Sequence, residues 1–140
     1  MDSKSLKSRL IPFGCLLLAA VVSAGAYPAP QGEPAPTEFE TRCGWFVNPT
    51  PGNISLYDRD GEWLIGVQGR YQVENEWNWP EFKPRQWVRT NGNYGHGCAC
   101  LQLSVNKESH EVLEIKSARA RPLATCRQDR SLRKWKQMLD

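Results

Sequence analysis

Four cysteines behind an export leader constrain this chain more than any other feature. Cys43, Cys98, Cys100 and Cys126 follow the leader, and Cys15 lies inside it. The leader is recognised by its order: Lys4, Lys7 and Arg9, an apolar stretch from Leu10 to Val22, then Ala24-Gly25-Ala26 as a small-residue cut site. That order defines a secretory signal peptide, so residues 1–26 are expected to be removed after Ala26. The stretch is broken by Pro12 and Gly14 and is short for a bilayer helix, so no stable membrane span is expected after cleavage. Export implies oxidising conditions, in which an even number of Cys in a small chain forms disulfides. Cys98 and Cys100 share one face of a predicted strand, with Cα atoms about 6.6 Å apart and parallel Cβ vectors, so they do not bond to each other. Each is expected to pair with one of Cys43 and Cys126, which leaves two arrangements open.

Residues 27–41, YPAPQGEPAPTEFET, carry four prolines and few large apolar side chains, so they are expected to be an extended linker. The folded domain is then expected over 42–140, starting near Arg42. Within it, short apolar runs alternate with turn signals, the pattern of an antiparallel β domain. Gly44 to Val47 is a short strand stopped by Asn48-Pro49-Thr50-Pro51-Gly52. Ile54 and Leu56, then Trp63, Ile65 and Val67, flank Asp58-Arg59-Asp60-Gly61 as a hairpin in which Gly61 supplies a positive φ. Trp87–Thr90 is a strand, Asn91–Gly97 a glycine-rich turn, and Cys98–Val105 a strong strand returned by Val112–Ile115. Leu132, Trp135, Met138 and Leu139 share one face of a short helix over 129–139. The expected class is mainly β: a small antiparallel sheet or open barrel of five to seven strands, two disulfides and a short C-terminal helix.

Charge is unevenly placed. Residues 27–114 carry 7 basic and 12 acidic side chains, whereas 115–140 carry 8 basic and 2 acidic. The mature balance is near neutral, which excludes nucleic-acid binding as a property of the whole domain. The basic C-terminus is expected to be a solvated tail that pairs with the acidic body.

No residue pattern demands catalysis or a cofactor. His96-Gly97-Cys98-Ala99-Cys100 spaces its ligands too tightly for structural zinc, and oxidation consumes the thiols. Asp58-Arg59-Asp60-Gly61-Glu62 matches only part of a calcium loop, and a turn explains it. No metal is expected. A triad lacks an embedded nucleophile. Glu74 and Glu76 beside Trp77 and Trp79 are the one carboxylate pair that suggests sugar hydrolysis.

The aromatic segment carries the strongest binding signal. Trp77, Trp79, Phe82 and Trp87 lie among Asn, Glu, Pro and Arg, with Tyr94 and His96 further along. Rings of this kind either cover an open sheet face or contact sugars and partner surfaces. If the domain binds a ligand, the expected surface includes Trp77 and Trp79 and not the Asp58–Gly61 turn.

Arg42-Cys43-Gly44-Trp45-Phe46, Asn48-Pro49-Thr50-Pro51-Gly52-Asn53 and Asp58-Arg59-Asp60-Gly61 form one set of motifs. Trp87-Val88-Arg89-Thr90-Asn91-Gly92 and Tyr94-Gly95-His96-Gly97-Cys98-Ala99-Cys100-Leu101 form another. Over about residues 42–127 they resemble a bacterial exported family, domain of unknown function 4087. The resemblance implies Gram-negative periplasmic or secreted proteins with the same four mature Cys, and implies no activity. Tyr is expected in that pattern where His96 stands, which argues against a His-dependent mechanism. The expected function is a periplasmic or secreted binding module for a glycan, an envelope component or a protein, including a hydrolase that it inhibits. The alternatives are an envelope hydrolase using carboxylates near the Trp loop, and a structural envelope protein.

Overall fold

The computed structural model describes residues 38–139. The expected signal peptide and residues 27–37 of the expected linker lie outside the described residues. Strand β1, Glu40–Thr50, begins two residues before Arg42 and runs on through Asn48 and Pro49. Proline is tolerated there because Pro49 is exposed and the register with the next strand shifts between Val47 and Thr50. The Asn48 side chain then holds the turn by donating to the carbonyls of Thr50 and Asn53, at 3.0 and 2.8 Å.

The remaining strands are β2 Asn53–Tyr57, β3 Glu62–Gly66, β4 Trp87–Asn91, β5 Tyr94–Asn106 and β6 Glu111–Arg121. They form a six-stranded sheet of order β1-β2-β3-β6-β5-β4 with an additional β1–β5 pairing. The pairings therefore run in a ring, β1-β2-β3-β6-β5 and back to β1, with β4 beside the first residues of β5. The mainly β class and the two disulfides are as expected, but the sheet is mixed and not purely antiparallel. Five strands in a ring cannot alternate direction all the way round, so one contact must be parallel. That contact is β3–β6, and it has a single register pair, Leu64 with Glu111.

Beyond this pair the seam is closed by the segment after β3. Gln72 bridges to Gly66, the Val73 amide donates to the Ile65 carbonyl at 2.9 Å, and the Tyr71 hydroxyl donates to the Val112 carbonyl. Asn75 acts as a substitute peptide group. Its amide donates to the Ile115 carbonyl at 2.8 Å, and its carbonyl oxygen accepts from the Ile115 amide at 3.0 Å. Residues 71–77 alternate half-buried and exposed as a strand would, although they form none.

Alternation sorts the two faces. Phe46, Leu56, Trp63, Ile65, Ala99, Leu101, Leu103, Val112 and Ile115 fill the interior. Trp45, Cys98, Cys126 and Leu132 make a second cluster outside the sheet. Cys98 and Cys100 share that outer face, and the bonds are Cys43–Cys100 and Cys98–Cys126. Cys43 and Cys100 are register partners across β1 and β5, so their Cα atoms lie only 4.0 Å apart. Cys98–Cys126 closes a sequence separation of 28 and contributes roughly 3.5 kcal/mol by constraining the unfolded chain.

A short helix, α1 Leu123–Gln128, precedes the expected one, and the helix expected over 129–139 is a 3-10 turn, Arg130–Trp135, followed by α2 Lys136–Leu139. Asp129 separates α1 from the 3-10 turn because its carboxylate caps that turn, accepting from the Ser131 amide at 2.8 Å and hydroxyl at 2.7 Å. Leu132, Trp135 and Leu139 pack on the outer face as expected, whereas Met138 is exposed.

The expected turn over 91–97 is also shorter. β5 begins at Tyr94, and only Gly92 takes a positive φ there. Gly97 lies within the strand, where a Cβ would stand 2.4 Å from the Phe82 ring. Glycine is needed for that close approach.

Candidate functional site

The aromatic residues singled out in the sequence gather at one end of the ring, around the fully buried Phe46. Alternation along β1 aims Phe46 inward, and the loop between β3 and β4 folds over it. Trp77, Trp79, Phe82 and Trp87 place their centroids 6.2, 5.3, 5.9 and 6.5 Å from that of Phe46. Trp77, Phe82 and Trp87 are half-buried members of the core. The Trp87 indole N–H donates to the Asn93 carbonyl at 3.1 Å, which fixes the ring against the β4–β5 turn. Trp79 differs: it remains 45% exposed, the largest exposed apolar side chain among the described residues. It is stacked on Trp77 at 5.6 Å and 11°, so the indole is held rigidly with surface left in water.

Glu74 and Glu76 occupy the exposed positions of the 71–77 alternation, and Asn78 and Glu81 are exposed beside them. Neither Glu74 nor Glu76 lines the cleft beside Trp45 and His96 or the one beside Arg42 and Asp58. Tyr94 is half-buried at the start of β5, paired with Asn91 across the turn.

The opposite end of the ring is ionic. Arg42, four residues before Phe46 on the same face of β1, lies 3.9 Å over the Trp63 ring. Its guanidinium donates to Asp58 at 2.6 Å, Asp60 at 2.9 Å and Glu40 at 2.8 Å. Burial pushes the Arg42 pKa down, but the three carboxylates outweigh it and hold the group above its ordinary value. Burial pushes the Asp58 carboxyl up, and hydrogen bonds from Arg42 and from the Asp60 and Gly61 amides outweigh it, so the carboxyl lies below its usual range. His110 stacks on the Trp63 ring at 4.8 Å.

This arrangement explains the Asp58–Gly61 turn differently from the sequence expectation. Gly61 does not have a positive φ. The Asp58 carboxylate holds the loop by accepting from the Asp60 and Gly61 amides, at 2.7 and 3.0 Å. A Cβ at 61 would stand 3.2 Å from the His110 ring, which would have to shift by a few tenths of an ångström to admit it. Both Asp58 oxygens are thus engaged, and among the described residues no group of three His, Cys, Asp or Glu is placed to hold a metal ion.

His96 is separated from the other candidates. It lies on the outer face, 7% exposed, edge-on to Trp45 at 5.5 Å. There it lines a cleft of about 540 Å³ between the sheet and the C-terminal segment. Arg127, Arg133 and Lys136 line the same cleft. Sequence reasoning noted the basic C-terminus but did not place these three together. Arg42 and Asp58 carried no local signal either, since they are 16 residues apart.

Among the described residues the basic segment does not pair with the acidic body, and every ion pair involves Arg42 or Arg59. The segment is instead anchored through neutral acceptors: the Trp135 indole N–H donates to the Asp58 carbonyl at 2.8 Å, and Lys134 to the Arg59 carbonyl at 2.7 Å.

No helix among the described residues is long and apolar enough to cross a membrane, and two disulfides are compatible with an extracellular or secreted domain. No curated protein and no solved structure matches the chain significantly. A family described as Protein of unknown function (DUF4087) matches residues 37–133, a span that includes all six strands and both disulfides, and the chain belongs to that family.

Proposed function

We propose that the protein is a periplasmic or secreted binding module whose aromatic end takes a glycan. The observation that supports this reading is Trp79, exposed to 45% yet held by Trp77 and Phe46. A core lid has no need of the second indole's outer surface. A sugar ring stacks its C–H face on such a surface, and an indole already held in place loses little entropy on binding. Asn78, Glu76 and Glu81 lie around it in the sequence, are exposed, and supply hydrogen-bonding groups for hydroxyls.

The test is a glycan array probed with the disulfide-bonded protein, followed by calorimetry on the best binder. Trp79→Ala is expected to fold as the parent does and to weaken binding by at least about tenfold, a loss of roughly 1.4 kcal/mol. Undiminished binding by folded Trp79→Ala overturns the reading, as does an array without binders.

A further inference from the structure

The cleft on the outer face is built differently from the aromatic end and points to a different ligand. Its floor is apolar, from Trp45 and Val88 on the sheet and Leu132 and Leu139 on the C-terminal segment. Its wall is cationic. In a 3-10 turn side chains three apart eclipse, so Leu132 and Trp135 face the sheet while Arg133 and Lys136 follow each other along the cleft. Arg127, from the last turn of α1, joins them. Arg127, Arg133 and Lys136 are all exposed and form no ion pair among the described residues. Among the described residues Asp129 is the one acid lining the cleft, and its carboxylate is already engaged by Ser131.

We infer that this cleft binds an anionic amphiphile: one phosphate or carboxylate group on the cationic wall, and an acyl or similar apolar body on the Trp45–Val88 floor. Charge complementarity selects the head. Three cations against one engaged carboxylate leave an excess of positive charge that an acid group neutralises. The floor selects the body, because a purely ionic ligand would leave that apolar surface in water. The volume, about 540 Å³, lies in the ordinary range for a small-molecule site. The Cys98–Cys126 bond and the Trp135–Asp58 hydrogen bond fix the segment from the other side, so the cleft is preformed.

Calorimetry on the mature, disulfide-bonded protein tests this with three probes below their micelle concentrations: dodecyl phosphate, inorganic phosphate and dodecyl maltoside. Dodecyl phosphate is expected to bind, and each of the other two to bind at least about tenfold more weakly. The double variant Arg133→Gln/Lys136→Gln is expected to lose at least about tenfold in affinity for dodecyl phosphate, because it removes charge-assisted contacts. Lys107→Gln, on the exposed β5–β6 turn, is the charge control and is expected to bind as the parent does. Val88→Gln is expected to weaken dodecyl phosphate while leaving inorganic phosphate unchanged. Equal binding of dodecyl phosphate and dodecyl maltoside, equal binding of dodecyl phosphate and phosphate, or an unaffected double variant overturns the inference. Trp79→Ala is expected to leave dodecyl phosphate binding unchanged, so failure of the glycan reading and failure of this one are distinguishable.

Discussion

Phe46 and Arg42 lie on the same face of β1, about 13 Å apart along the strand, and each sits at one end of the same ring. Around Phe46 the end is closed by Trp77, Trp79 and Phe82 from a loop with no regular structure and by Trp87 at the start of β4. Around Arg42 it is closed by a guanidinium over Trp63 and three carboxylates. Two solutions to one geometric problem have different physical costs. Apolar closure is nondirectional and independent of pH, and it can leave an extra ring partly exposed. Ionic closure requires each group to be matched, so it gives a defined loop shape and depends on protonation. The aromatic end is therefore the one with surface to spare for a ligand, and the ionic end is the one that positions the hairpin on which the C-terminal segment rests.

The largest effect expected from this comparison is at the aromatic end. Phe46→Ala removes the ring on which Trp77, Trp79, Phe82 and Trp87 converge, and is expected to cost about 4 kcal/mol. Denaturant unfolding with disulfides intact measures it, and a loss below about 2 kcal/mol would show that the loop collapses into the space.

The ionic end is expected to give a somewhat smaller loss with a pH signature. Asp58→Ala separates the half-buried Arg42 from its closest partner and frees two loop amides, at a cost of about 3 kcal/mol near neutral pH. The folded-state pKa of Asp58 lies below its unfolded value, so the unfolded state binds the proton more readily. The Asp58 contribution is thus fully present above the unfolded value, about 3.9, and is lost as pH falls through the folded one. The parent should lose stability below about pH 4 more steeply than Asp58→Ala, while Phe46→Ala should keep the parent's slope. Parallel acid profiles for the parent and Asp58→Ala would remove the distinction between the two ends.

Trp79→Ala should show the smallest change in stability, about 1 kcal/mol, since it removes the stack on Trp77 and one edge contact while Phe46 stays covered by Trp77, Phe82 and Trp87. A loss of about 3 kcal/mol or more would make Trp79 part of the core and shift the weight of the lid from Trp77 to both rings.

Much of this molecule was legible in its order of residues because the relevant forces are local. Period-two alternation placed Cys98 and Cys100 on one face, and that alone excluded a Cys98–Cys100 bond. The strands around Asp58–Gly61 and the return after Val105 followed from short apolar runs and turn residues. Tertiary structure decided what depends on closure. Which Cys meets which was fixed by the register that puts Cys43 opposite Cys100 and leaves Cys98 for Cys126. The parallel seam follows from the count of strands in the ring, and Asn75 is part of it only because β6 lies 40 residues away in sequence and adjacent in space. The His110 ring is brought beside Gly61 from another hairpin, and Arg127, Arg133 and Lys136 are united over Trp45 by the disulfide that folds the basic segment onto the sheet. Propensity and alternation act over a few residues, whereas register, closure and charge proximity depend on segments far apart in the chain, and only packing brings those together.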